Sequence, residues 1–172
     1  MTLGLLIIRV IAGLTMAAHG GQKLFGWFGG PGRPGTAAMM EKVGFREPAI
    51  MASLAALAEF GGGLGLALGL LTPFAAIAIV VVMVNAAFTV HLKNGFWNTA
   101  GGYEYPVILA AIAVGIAATG PGDASADNAL GIMGALSGDV WAAVVVLVAA
   151  IAGTLTLTVG RHHEQLPGHP VG

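Results

Sequence analysis

Phe74 to Val90 reads FAAIAIVVVMVNAAFTV, a run without one charged side chain, entered through Thr72-Pro73 and left at His91. Crossing the hydrocarbon core of a bilayer takes roughly 20 helical residues, and proline suits the first turn of a helix, so this stretch predicts a membrane span that starts after a tight turn. The whole chain has the same character. Of its 172 residues 56% are hydrophobic and 9% charged, with a mean hydropathy of +0.86, whereas soluble domains carry roughly 25% charged residues. A soluble fold could not hide that much apolar surface. An all-α integral membrane helical bundle, folded as one domain in contact with the lipid bilayer, is expected.

The remaining spans follow outward from this one. Upstream, Ile50 to Leu71 forms a second apolar run with Glu59 inside it, and Leu3 to Ala18 a third, interrupted by Arg9. Between them, Gly20 to Pro48 is rich in Gly and Pro and reads as a loop, in which Thr36 to Val43 predicts a short surface helix capped by Thr36. Downstream, HLKNGFWNTAGG from His91 to Gly102 is a polar and aromatic connection, Tyr103 to Thr119 is the fourth span, Gly120 to Asp139 is a polar Gly-rich loop, and Val140 to Val159 is the fifth. Residues 161–172 read as a polar, disordered tail. The N-terminal run lacks the positive region of a signal peptide and a small-residue cleavage site, so it is read as a retained span.

Charge placement agrees with five crossings. The loop after span one, the loop after span three and the tail then share one side, which holds Lys23, Arg33, Lys42, Arg46, Lys93 and Arg161. These are all the Lys and Arg residues except Arg9. Cytoplasmic loops carry an excess of Lys and Arg, so the chain is expected as a multi-pass protein of the bacterial plasma membrane with its N-terminus outside and its C-terminus cytoplasmic. Gly61, Gly65 and Gly69 recur every fourth residue, a small-residue stripe that would let helices approach closely within one chain or between copies in a homo-oligomer. Nucleic acid is not an expected partner, since the net charge is −1. With no cysteine, disulfides, thiolate metal sites and dithiol relays are excluded.

An ionisable group inside hydrocarbon costs roughly 2.5 to 3.5 kcal/mol on insertion scales and normally finds a partner. Arg9 and Glu59 are therefore expected to pair, either to fix helix register or to leave Glu59 as a proton-accepting carboxylate beside a substrate, with Arg9 favouring its charged form. On span one, Arg9, Ala12, Met16, His19 and Lys23 fall on one helical face. The five-span topology gathers His19, Gln22, Lys23, His91, Asn94, Trp97, Tyr103, Glu104 and Tyr105 at one leaflet. The aromatic members also suit an interfacial belt. Asn85 is expected to bond between helices, Met39, Met40 and Met51 to serve as packing residues, and His162, His163 and His169 to lie in the tail. A metal held by His19, His91 and a carboxylate is chemically allowed, but nothing in the spacing demands it. A quinone head group fits better, needing a His or Tyr donor, a carboxylate for protons and an apolar cleft at headgroup depth.

At these residues the sequence resembles the DoxX family of small bacterial membrane proteins. The likeness is carried by HGGQKLFGWFGGPGRPGTA from His19 to Ala37, EFGGGLGLALGLLTP from Glu59 to Pro73 and HLKNGFWNTAGGYEYP from His91 to Pro106. It runs from about Leu3 to Thr119, so residues 1–120 are read as a four-helix core and 121–160 as a loop and additional membrane helix. The family is named for a subunit of an archaeal thiosulfate:quinone oxidoreductase, and mycobacterial relatives are associated with a membrane complex involving superoxide dismutase and a thiosulfate sulfurtransferase. The resemblance thus implies a membrane subunit of a quinone-linked oxidoreductase system, serving sulfur or oxidative-stress chemistry alongside other subunits. Glu59, His19, His91 and Glu104 would be its catalytic residues, and Arg9, Gln22, Lys23, Asn94, Trp97 and Tyr103 its cofactor-binding ones. Fold and family alone do not transfer chemistry, and two other readings compete: a non-enzymatic anchor or assembly subunit for partner proteins, and a pathway for a small solute or protons.

Overall fold

The computed structural model describes residues 2–161, so the expected tail beyond Arg161, with His162, His163 and His169, lies outside the described residues. Seven α-helices follow one another: α1 (Thr2–Phe25), α2 (Gly32–Lys42), α3 (Pro48–Leu68), α4 (Thr72–Ala86), α5 (Glu104–Thr119), α6 (Ala126–Ala129) and α7 (Asp139–Thr158). Four stretches are long and apolar enough to cross a membrane: Leu3–Phe25, Pro48–Leu68, Thr72–Asn94 and Asp139–Thr158. α5, with 16 residues, is about 24 Å long at 1.5 Å per residue, short of the roughly 30 Å of hydrocarbon. Phe96, Trp97 and Tyr103 precede it, aromatic side chains of the kind that suit a membrane interface.

Large apolar side chains such as Ile7, Ile11, Leu57, Leu64, Leu147 and Ile151 are exposed on the outer faces of α1, α3 and α7. A surface of that kind belongs against lipid, because water-soluble monomers rarely expose contiguous apolar patches beyond a few hundred Å². The interior is built from small residues and a few large ones: Ala12, Met16, Leu66, Ala76, Ile79 and Ala113 belong to one buried cluster.

α1 and α3 run antiparallel with their backbones in direct contact. A β-carbon added to Gly13 would stand 2.6 Å from the Gly63 carbonyl oxygen and 2.8 Å from Ala67 Cα, and one added to Gly20 would meet Phe60 Cα at 2.6 Å. The expected Gly61, Gly65, Gly69 stripe is not this contact. Gly61 has nothing within 4 Å of a notional β-carbon, Gly65 packs on Ala75 in the adjoining hairpin, and Gly69 takes φ +62° at the end of α3. On α3 it is Gly63 that packs on α1, while Gly62 and Gly65 pack on α4, because the face that meets these helices is set by Ala56, Glu59 and Leu66 around them.

Two local readings also change. α1 continues to Phe25, seven residues past Ala18, because the small and polar residues that end its apolar run face protein and the backbone ladder is indifferent to them. α2 starts at Gly32 with Pro34 in its first turn, which needs no N–H partner. Thr36 is therefore not a cap: it is buried within the helix and donates to the Gly32 carbonyl at 2.7 Å.

The last third of the chain is fastened at both ends. α7 runs parallel to α4, as Phe74 against Trp141 and Gly153 against Val84 show. It ends where Arg46 N–H donates to the Gly160 carbonyl at 2.9 Å and Arg161 Nε to the Val43 carbonyl at 2.9 Å. The loop ahead of α7 closes the opposite end. The described chain thus begins and ends at opposite ends of the bundle, and Lys23, Arg33, Lys42, Arg46, Lys93 and Arg161 share the end where α1 finishes.

Candidate functional site

Antiparallel packing of α1 on α3 sets which ionisable groups meet. With Gly20 against Phe60, the last turn of α1 places the Lys23 ammonium on the Glu59 carboxylate, with which it forms an ion pair through Oε1. Glu59 is 2% exposed and the Lys23 side chain 22%. Glu59 Oε2 is buried and, among the described residues, has no hydrogen-bond partner. The expected Arg9–Glu59 pair does not form. Arg9 lies level with Gly69 and Glu59 with the region of Gly20, so about ten residues, or about 16 Å of helix rise, separate them.

Beside the ion pair is a cavity of about 240 Å³. Its apolar wall includes Met39 and Met40 from α2, Phe45 from the connection before α3, Met51 and Leu54 from the start of α3, and Val82 from α4; Lys23, Glu59, Asn85, Thr89 and Thr156 are its polar members. The three methionines expected as packing residues are thus cavity lining. Asn85 does not bond between helices: its amide nitrogen donates to the Val81 carbonyl of its own helix at 2.9 Å, and its Oδ1 is buried without a partner among the described residues. Just beyond Asn85 the helix widens into a π-turn, Ala87–His91, and Thr89 donates to the Asn85 carbonyl at 2.8 Å. Single π-turns inside helices are frequent at functional sites.

The other expected site residues divide into two groups. His19 lies one turn before Lys23 on α1; its Nδ1 donates to the Thr15 carbonyl at 2.9 Å, and its ring lies 5.9 Å from that of Tyr105. Tyr105 is within electrostatic reach of Glu59, so Lys23, Glu59, His19 and Tyr105 form one neighbourhood. Since a carbonyl only accepts, Nδ1 carries the hydrogen of that bond. Gln22 is half-buried on the same turn, with the Gly30 backbone packed on its Cα and Cβ.

The second group closes the connection between α4 and α5. His91 Nδ1 and Asn94 Nδ2 both donate to the Gly101 carbonyl, at 2.7 and 3.1 Å. Glu104 Oε2 accepts from the Asn98 backbone N–H at 2.9 Å, and Tyr103 and Trp97 pack edge-on against Phe96. His91, Asn94, Trp97, Tyr103 and Glu104 are thus gathered in one self-bonded loop and do not line the cavity. The next residue after Glu104 is Tyr105, whose ring lies 5.9 Å from that of His19.

At the far end of the bundle Arg9 has a different task. Its guanidinium donates to the Pro121 carbonyl at 3.1 Å and the Ala124 carbonyl at 2.6 Å, tying down the loop ahead of α6. Asp127, fully buried, lies within electrostatic reach of it. This carboxylate accepts from Leu71 N–H at 2.7 Å, Thr72 N–H at 3.0 Å and the Thr72 hydroxyl at 2.6 Å, so it caps the N-terminus of α4 from a distant part of the chain. No local pattern in the sequence announces that cap. Asn85 did carry a signal, as the one amide inside an apolar span.

Residues 4–92 match the family model described as DoxX. The protein of Bacillus subtilis (strain 168) named "Putative oxidoreductase CatD" is 30% identical over 118 residues, covering 69% of this chain and 80% of that protein. No solved structure matches the chain.

Proposed function

Because this chain belongs to the DoxX family, we propose that it is a membrane subunit of a quinone-linked oxidoreductase system whose ligand site is the cavity beside Glu59. The observation that carries this reading is a buried carboxylate oxygen without a donor, Glu59 Oε2, at the wall of an otherwise apolar cavity. Such a group is expensive in a bilayer and by default marks a functional site. The name of the Bacillus relative supports the same reaction class.

The residues fit a quinone ring. A volume of about 240 Å³ falls just under the roughly 300 to 1,000 Å³ of drug-sized pockets, room for one substituted ring whose tail leaves toward lipid. A quinone supplies a carrier of two electrons and two protons. Around it, Glu59 takes and returns protons, Lys23 holds the carboxylate in place, and His19 with Tyr105 lies on the side through which protons reach the basic end. Met39, Met40, Met51 and Phe45 exclude water. His91, Asn94 and Glu104 position Tyr105 by fixing the loop before α5, and Trp97 and Tyr103 seat that loop at the headgroup level. Arg9 is assigned to the fold of the far end instead of the cofactor. With the basic end in the cytoplasm, proton exchange would occur on that side.

The test is purification in mild detergent followed by mass spectrometry of the organic extract, in parallel for the native chain and Glu59→Gln. Copurified quinone, together with loss of quinone-dependent turnover in Glu59→Gln at unchanged insertion, is the expected result. A ligand-free native protein that instead crosslinks to partner subunits would replace this reading with that of an anchor.

A further inference from the structure

We infer that the cavity holds the reduced, hydroxyl-bearing form of a small aromatic ring more tightly than the oxidised, carbonyl-bearing form, an inference that rests on the quinone reading above. The argument is a count of donors and acceptors on the cavity wall. The Thr89 hydroxyl donates to the Asn85 carbonyl at 2.8 Å, the Thr156 hydroxyl to the Ala152 carbonyl at 2.6 Å, and the Asn85 amide nitrogen to the Val81 carbonyl at 2.9 Å. Both hydroxyl hydrogens are spent on their own helix, and so is one of the two Asn85 N–H bonds. The Lys23 ammonium is engaged with Glu59 Oε1, and its side chain is partly exposed, so its other N–H bonds have water within reach.

Two acceptors are left over. Glu59 Oε2 and Asn85 Oδ1 are both buried, both belong to residues that line the cavity, and neither has a donor among the described residues. The orientation of the Asn85 amide is fixed by its neighbour: turned over, it would set its oxygen against the Val81 carbonyl oxygen. A buried acceptor without a donor is costly, and the cost is removed only by a partner that brings an O–H or N–H. A ring bearing two hydroxyls supplies two donors. Its oxidised counterpart brings no donor, so both acceptors stay unpaired.

The consequence is thermodynamic. A site that favours the reduced form raises the midpoint potential of the bound two-electron couple, by about 30 mV for each tenfold of preference, so the ligand draws electrons from a donor more readily when it sits here. Each hydrogen bond made in one form and missed in the other changes affinity by about fivefold.

Durohydroquinone and duroquinone, one ring without a tail, are the probes. Each is titrated calorimetrically, without oxygen, into the full chain in phosphatidylcholine nanodiscs. Durohydroquinone is expected to bind ten- to thirtyfold tighter, on the order of two such hydrogen bonds. Asn85→Leu should cut that ratio by about fivefold, while Thr154→Val, on the same helix as Thr156 but outside the cavity lining, should leave it unchanged. Equal affinities in the native chain, or tighter binding of duroquinone, overturn the preference and leave the quinone reading standing. If neither ring binds, both the preference and the quinone reading are overturned.

Discussion

Replacing Gly13 by alanine should break the contact that holds α1 to α3. The added β-carbon would lie 2.5 Å from Ala67 N, 2.6 Å from the Gly63 carbonyl oxygen and 2.8 Å from Ala67 Cα, whereas carbon atoms rest about 3.5 to 4.0 Å apart. All three neighbours are backbone, so no rotamer can yield, and the two helices must part by about 1 Å. Overpacking of this kind costs about 1 to 3 kcal/mol, and unyielding neighbours put it at the upper end. Alanine's better helix propensity returns up to about 1 kcal/mol, leaving a net loss of about 2 kcal/mol. For a chain of this size that corresponds to a fall in Tm of about 4 to 8 °C, read by thermal melting in detergent. Gly61→Ala is the control: it carries the same propensity gain, and its β-carbon meets nothing within 4 Å, so its Tm should hold or rise. Equal shifts for the two variants would refute the backbone contact.

Lys23→Met strands the carboxylate of Glu59, which is 2% exposed; breaking a buried pair costs roughly 3 to 5 kcal/mol, reduced here to about 3 because Lys23 is partly exposed. Adding Glu59→Gln should recover most of the loss in denaturant unfolding, and a stable single variant would contradict the pairing. Asp127→Ala removes three hydrogen bonds at a fully buried position, so the protein should lose about 2 to 4 kcal/mol, with hydrogen exchange rising first at Leu71 and Thr72; exchange unchanged there would mean the cap carries no weight. The cysteine-free chain also permits single-cysteine mapping of orientation. Asp123→Cys should react with an impermeant maleimide in intact cells and Lys42→Cys only after permeabilisation; the reverse pattern would invert the orientation.

The membrane bundle was legible because hydrocarbon imposes a length and a composition that loops cannot imitate. Depth was harder. Stopping span one at Ala18 displaced everything on it, since Gly20, Gln22 and Lys23 look like loop residues yet continue α1 along its protein-facing side. A span that ends at Ala18 sets Lys23 in the loop and leaves Arg9 as the one cation inside the hydrocarbon to pair with Glu59. A four-residue glycine spacing says that a face is smooth, not that another helix lies on it, which is why Gly61 and not Gly63 stood out. The gathering of His19, Lys23, His91 and Glu104 at one end followed from the span count, but the loop that takes His91 and Glu104 away from the cavity is made of backbone bonds that side-chain chemistry does not foretell. Asp127 caps a helix whose first residues lie 55 positions away, a relation that only tertiary folding creates.

That cap changes what a removable part of this protein would be. The stretch matched by the family model ends at residue 92, yet α4, which lies within it, has its first turn held by Asp127, and Thr156 of α7 lines the cavity. A chain trimmed to the matched stretch would leave helix-end N–H groups bare in a medium that offers them no substitute. The late helices are thus not an appendage that could be gained or lost separately, and all the described helices should melt in a single cooperative step.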